Sequence, residues 1–132
     1  MGDYKTFSVE VPVRFSDLDA YGHVNNATFF TYLEDARIRI LRGAFSPSMG
    51  EEPVFLVKTA FCDYKHPISM RESVTVTVDV RKVQRSSVEL GYKVTDGTGL
   101  TYAEATTVLV SYDPKASRPT GVPDWFLEMI KA

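Results

Sequence analysis

Cys62 is the chain's sole cysteine, so no intrachain disulfide can form and nothing marks an oxidised, secreted scaffold. Histidine is nearly as scarce. His23 and His66 are the only two, and together with one thiol they show no paired ligand spacing, so no metal is expected. No apolar run is long enough to span a bilayer, and the first ten residues lack the basic start and apolar stretch of a targeting segment. The expectation is a cytoplasmic protein with no membrane partner. Neither sign of charge dominates: fifteen basic residues against seventeen acidic ones leave a net charge of -2, too weak a field to hold nucleic acid against salt. Also missing are a Gly-x-Ser-x-Gly elbow, as serine hydrolases of that type need, and any glycine-rich phosphate loop. With no Gly/Ser linker and no repeat, residues 1–132 read as one domain, long enough to bury a core.

What the chain does have is pattern. Phe7, Val9, Val11, Val13 and Phe15 alternate with polar residues and Pro12, the period of a half-buried strand. Pro12 lacks an N–H for the ladder, which predicts a place at a sheet edge. From Asn26 to Arg42 the period changes, with Phe29, Phe30, Leu33, Ala36, Ile40 and Leu41 at three- and four-residue spacing, as on an amphipathic helix. Asn25 or Asn26 supplies the N-cap, Gly43 suits the C-terminal end and Pro47 bars continuation. Four more strands follow, over Val54–His66, Val74–Arg81, Val88–Val94 and Leu100–Tyr112, with Asp96-Gly97-Thr98-Gly99 a strong hairpin turn. A short helix from Pro123 to Lys131 has Trp125, Phe126, Met129 and Ile130 to bury. One long helix beside consecutive antiparallel strands predicts an α+β fold. A single helix covers only one face of such a sheet, which predicts a second copy of the chain on the other, hence a homodimer or homotetramer.

The densest set of chemically useful residues runs from Arg14 to Asn26, between the first strand and the long helix. It holds Asp17, Asp19, Tyr21, Gly22, His23, Asn25 and Asn26 just ahead of a helix N-terminus, whose free N–H groups and positive dipole end attract negative charge. Such a place can hold an oxyanion, with a nearby carboxylate as nucleophile or as the base that activates water. The same residues also suit a plain polar turn, since aspartate and asparagine often bond the backbone there.

The run Phe15-Ser16-Asp17-Leu18-Asp19-Ala20-Tyr21-Gly22-His23-Val24-Asn25-Asn26-Ala27, followed by Tyr32-Leu33-Glu34 and Ala36-Arg37, resembles the signature of the 4-hydroxybenzoyl-CoA thioesterase branch of the hotdog superfamily. The likeness extends to the Val-rich third strand, Arg85-Ser86-Ser87, Ala103-Glu104-Ala105 and the Arg118-Pro119 to Pro123 ending. It implies a hotdog fold and hydrolysis of an acyl-CoA, or of an acyl carrier protein thioester, to free acid and thiol. On it, Asp19 is the catalytic carboxylate, Asp17 is structural, and the backbone N–H of Asn26 polarises the thioester carbonyl. Tyr21, Gly22, His23 and Asn25 form the substrate loop. Some branches carry histidine where this chain has Asn26, so the proton donor stays open, and the His23-Val24-Asn25-Asn26 form favours an aliphatic acyl group. Coenzyme A is then part of the substrate, and no separate cofactor is implied. Lys82, Arg85 and Ser86, at a turn, would meet its phosphates.

Other residues read more plainly. Cys62 sits in a strand with no histidine at a motif spacing, and His66, just before Pro67, reads as a turn histidine. Glu34 with Arg37, and Asp35 with Arg39, are spaced for surface helix pairs, although Glu34 can also face the site in some hotdog enzymes. Phe29, Phe30 and Tyr32 would shape an acyl tunnel or simply pack the core. Two rival functions remain: a hotdog protein that binds thioesters without cleaving them, and a hydratase of enoyl thioesters.

Overall fold

The computed structural model describes residues 4–40 and 53–132. Gly43, Pro47 and the last two residues of the expected long helix lie outside them. The elements are β1 (Thr6–Pro12), a 3-10 turn (Phe15–Asp17), α1 (Asn26–Ile40), β2 (Val54–Tyr64), β3 (Ser73–Val83), β4 (Ser87–Thr95), β5 (Thr101–Asp113), β6 (Arg118–Pro119) and α2 (Asp124–Ile130). All pairings are antiparallel, in the order β1-β3-β4-β5-β2, with the two-residue β6 added on β5. This is the expected α+β hotdog arrangement with one short extra strand.

Alternation translates directly into one buried face. The register lines up Val9, Val76, Val94, Ala103 and Tyr64 in one row across five strands, and Phe7, Val78, Tyr92, Ala105 and Cys62 in the next. Against this face α1 buries Phe29, Tyr32, Leu33 and Ala36. Ala103 and Ala105, both fully buried, keep the sheet low under the helix. Register shifts at Val57/Thr59 and Val80/Lys82 add the local bend and twist that bulges give a sheet.

The opposite face differs from expectation. Its rows read Ser8, Thr77, Lys93, Glu104, Asp63 and then Thr6, Asp79, Gly91, Thr106, Phe61, so threonine and charge dominate and little there demands an apolar cover. Among the strands, exposed apolar side chains gather on the edge strand β2, where Leu56, Val57 and the outer-face Phe61 are exposed by 46%, 48% and 64%.

Two strands end early for visible reasons. β1 stops at Pro12 because the Asp17 carboxylate captures the Arg14 N–H and folds the chain into the 3-10 turn, leaving Phe15 on the surface. β2 stops at Tyr64 because the N–H groups of Lys65 and His66 both turn to the Tyr102 carbonyl, at 2.8 and 3.1 Å. Pro12 does lie on an edge strand, since β1 pairs only with β3. At the far end of the sheet α2 buries Phe126 and Ile130, with Phe55 packed 5.0 Å from the Phe126 ring.

Candidate active site

The two aspartates of the loop are held in opposite ways. Asp17 is buried, and its carboxylate accepts the Arg14 N–H at 2.9 Å, the Arg14 guanidinium at 3.0 and 3.2 Å, and the Tyr32 hydroxyl at 2.8 Å. Its carbonyl accepts the Asn25 N–H at 2.9 Å, so one residue ties the end of β1 to the start of α1. Burial alone would raise this carboxyl, but the bonds from Arg14 and Tyr32 outweigh it and hold the group below the usual carboxylate range. Burial and the same Asp17 bond push the Tyr32 hydroxyl well above its ordinary value.

Asp19 opens a tight turn closed by the Gly22 N–H on its carbonyl, at 3.0 Å, and Gly22 has φ +80, a conformation that favours glycine. The Asp19 Oδ1 accepts the Tyr21 N–H at 2.9 Å and the His23 N–H at 3.3 Å. Oδ2 has no hydrogen-bond donor among the described residues. The carboxylate is therefore oriented by one oxygen and available through the other.

That side chain borders a cavity of about 280 Å³. The loop contributes Asp19, His23 and Val24, α1 contributes Asn26 and Phe29, and the end of β2 with its following residues contributes Tyr64 to Pro67. Phe29 and Tyr64 stand edge to face with ring centres 5.0 Å apart, and the Tyr64 hydroxyl donates to the Asn26 carbonyl at 2.8 Å. The helix start is capped by Asn25, whose Oδ1 accepts the Ala27 N–H and whose carbonyl accepts the Thr28 N–H, both at 2.9 Å. The N–H of Asn26 finds no acceptor among the described residues. Asp19, with one carboxylate oxygen unengaged, and Asn26, whose helix N–H has no acceptor among the described residues, thus line one pocket, which suits attack on a carbonyl whose oxygen becomes negative.

The other expected residues separate into groups. Tyr21 is 86% exposed and does not line the cavity, Gly22 makes the turn, and Asn25 is the cap. Of the aromatic residues on α1 only Phe29 lines the cavity; Tyr32 is committed to Asp17, and Phe30 borders a second hollow with Val57 and Ala60 further along the α1–β2 seam. Lys82 and Arg85 are exposed and Ser86 is half-buried, all at the opposite end of the sheet. The Ser86 carbonyl accepts the Ser111 N–H, whereas Tyr64 pairs with Ala103. Along β5 those points stand on the order of 26 Å apart at about 3.3 Å per residue. One chain does not bring this turn to Asp19.

The sequence reading missed the third wall, Tyr64 to Pro67, and His66 in particular. Its only sequence signal is the strand end at Pro67; the contact with the loop comes from the Val24 N–H on the Ile68 carbonyl, a pairing no spacing announces. Lys65 is bonded to Asp63 at 2.9 Å, which holds its ammonium above the ordinary range. The expected Asp35–Arg39 pair forms at 3.1 Å. Arg37 donates to the Tyr92 hydroxyl, and no Glu34–Arg37 pair is present among the described residues. Burial pushes the Cys62 thiol up, which keeps it protonated and poorly nucleophilic. No group of three metal-ligating side chains occurs among the described residues, and no helix there is long and apolar enough to cross a membrane.

A helix on an antiparallel hotdog sheet, with a carboxylate beside the helix start, defines a thioesterase-type architecture. The sequence model of the thioesterase-like superfamily matches residues 13–130, and the chain belongs to that superfamily. It is similar to a solved thioesterase from Thermus thermophilus, complexed with coenzyme A and zinc, with 40% identity, a TM-score of 0.80 and coverage of 95% of this chain and 97% of that one. It is 28% identical over 112 residues to the long-chain acyl-CoA thioesterase FadM of Escherichia coli K12, covering 83% of this chain and 85% of FadM. The uncharacterized protein YsmA of Bacillus subtilis is 33% identical over 87 residues, covering 66% of this chain and less than two thirds, 59%, of YsmA.

Proposed function

We propose that this chain is a thioesterase that hydrolyses acyl-CoA, or the acyl thioester of a carrier protein, to the free acid and the thiol. The observation that carries the reading is that Asp19, with its Oδ2 unengaged, and Asn26, with its N–H unpaired among the described residues, line the same cavity. The thioester carbonyl sits with its oxygen toward that N–H, at the positive end of α1, so charge developing on oxygen meets a preformed donor. Asp19 then attacks the carbonyl carbon or takes a proton from a water that does so. Membership of the superfamily, and relatives named as acyl-CoA thioesterases, support the substrate class. The similarity to FadM, together with the apolar walls of Phe29, Phe30 and Val57, favours an aliphatic acyl group.

The nucleotide end of the substrate is expected at Lys82, Arg85 and Ser86 of a neighbouring copy, because a single chain keeps that turn remote from Asp19. The edge strand β2 supports such an assembly, with a row of unpaired backbone groups and exposed Leu56, Val57 and Phe61.

Thiol release measured across short, long, branched and aromatic acyl-CoAs tests the reading. In Asp19→Asn the side-chain oxygen can still accept the Tyr21 and His23 N–H groups, so the turn persists while the reactive carboxylate is gone. Turnover should fall at least about 100-fold with the circular dichroism spectrum unchanged. Binding of acyl-CoA by the wild type without release would instead indicate a carrier or sensor. Water addition to a crotonyl thioester without thiol release would indicate a hydratase.

A further inference from the structure

Both histidines of the chain line the cavity that Asp19 borders. They arrive by separate routes, His23 from the turn that carries Asp19 and His66 from the segment after β2. The two rings are not equally constrained. The His23 ring makes no hydrogen bond among the described residues, whereas the His66 Nδ1 lies 3.0 Å from the Thr101 carbonyl oxygen. A carbonyl oxygen only accepts, so Nδ1 carries the hydrogen and Nε2 is the atom that gains or loses a proton. The neutral and the charged ring both keep Nδ1–H. The bond to Thr101 therefore survives a full proton cycle, and the ring need not turn between steps. The backbone is held too, through the bonds of Lys65 and His66 to the Tyr102 carbonyl and the fixed φ of Pro67.

Thioester cleavage ends with a proton on sulfur, and Asp19, acting on the water side, does not supply it. When the C–S bond breaks, its electron pair moves to sulfur, and an alkyl thiolate leaves more readily if a proton arrives with it. Asp19 handles the opposite side of the reaction, where water attacks.

Building on the thioesterase reading above, we infer that His66 is the proton donor to the departing sulfur. Asp19 removes one proton from water as its oxygen bonds to the acyl carbon. The tetrahedral oxyanion then collapses, the C–S electron pair moves to sulfur, and the Nε2–H of the His66 imidazolium is transferred to it. The products are the carboxylic acid, the thiol, neutral His66 and protonated Asp19, and return of that proton to His66 through water restores the starting state. If Asp19 attacks directly, the same Nε2 proton reaches sulfur as the anhydride forms. The titratable and charged groups that share the cavity are Asp19 and His23 from the loop and Tyr64 and Lys65 from the end of β2, with Asp63 paired to Lys65.

The test compares two thioesters of one acyl group, the acyl-CoA and an aryl thioester, in wild type, His66→Ala and His66→Gln. An aryl thiolate, being the weaker base, leaves without a proton. Both variants should lose about 100-fold in kcat on the acyl-CoA, with KM little changed, yet remain near wild type on the aryl thioester. Equal losses on the two thioesters, or no loss on the acyl-CoA, would overturn the assignment while leaving the thioesterase reading intact. A wild type that releases thiol from neither substrate would sink that reading, and the proton-donor role with it.

Discussion

At the scale of single residues, Asp17 and Asp19 are two positions apart and do opposite work. Asp17 is buried under four donated bonds, whereas Asp19 keeps one oxygen free at a cavity wall. The sign of the pH effect at Asp17 follows from its lowered carboxyl. Its contribution to stability is complete above the unfolded value, near about pH 4, and disappears as pH falls through the folded one. Asp17→Asn should therefore destabilise the chain by about 2 kcal/mol at pH 7, since the Arg14 and Tyr32 donors lose a charged acceptor. That difference should shrink as pH falls through the lowered, folded-state titration of Asp17. Urea unfolding of both chains at several pH values measures it, and a gap that ignores pH would contradict the account. Both aspartates stand out in the sequence because their short loop carries a recognisable signature. His66 does not, because its partners, the Thr101 carbonyl and the Asp19 cavity, belong to segments that only the folded sheet brings together.

Among the elements, β3 was the most legible: each of Val74, Val76, Val78 and Val80 is buried, as strict alternation requires. The antiparallel order of β3, β4 and β5 also follows from their short connections. What alternation could not tell is that β1 and β2 occupy opposite edges, because the chain crosses the sheet through α1 and nothing local encodes where a crossover lands. The early ends of β1 and β2 were hidden for a related reason, since a side-chain carboxylate in one case and a shared carbonyl in the other redirect backbone donors. The join between α1 and the sheet rests on a few side chains, and Leu33 is fully buried among them. Leu33→Ala should cost about 3 kcal/mol, the usual range for a leucine removed from a packed core. Chemical denaturation gives the number; a loss below about 1 kcal/mol would mean that the helix is held mainly by its polar ties rather than by packing.

For the whole molecule, the expectation of a second copy rested on the outer face of the sheet needing a cover. The outer face of the sheet is chiefly threonine and charge, while the apolar surface lies along β2. Periodicity shows which residues share a face but not which face is the wetter, and that is why the edge strand went unnoticed. The distance between the Lys82–Ser86 turn and Asp19 makes each reaction centre, on the proposed reading, the joint property of two polypeptides. A chain carrying Asp19→Asn and a chain carrying Arg85→Ala would each be impaired in pure form. Dissociated, mixed and reassembled, they should regain turnover that neither shows alone, because some pairings unite the sound half of one with the sound half of the other. Mixtures as inactive as their parents would show each chain to be self-sufficient. Inside a cell, two defective alleles of this one gene would then complement each other.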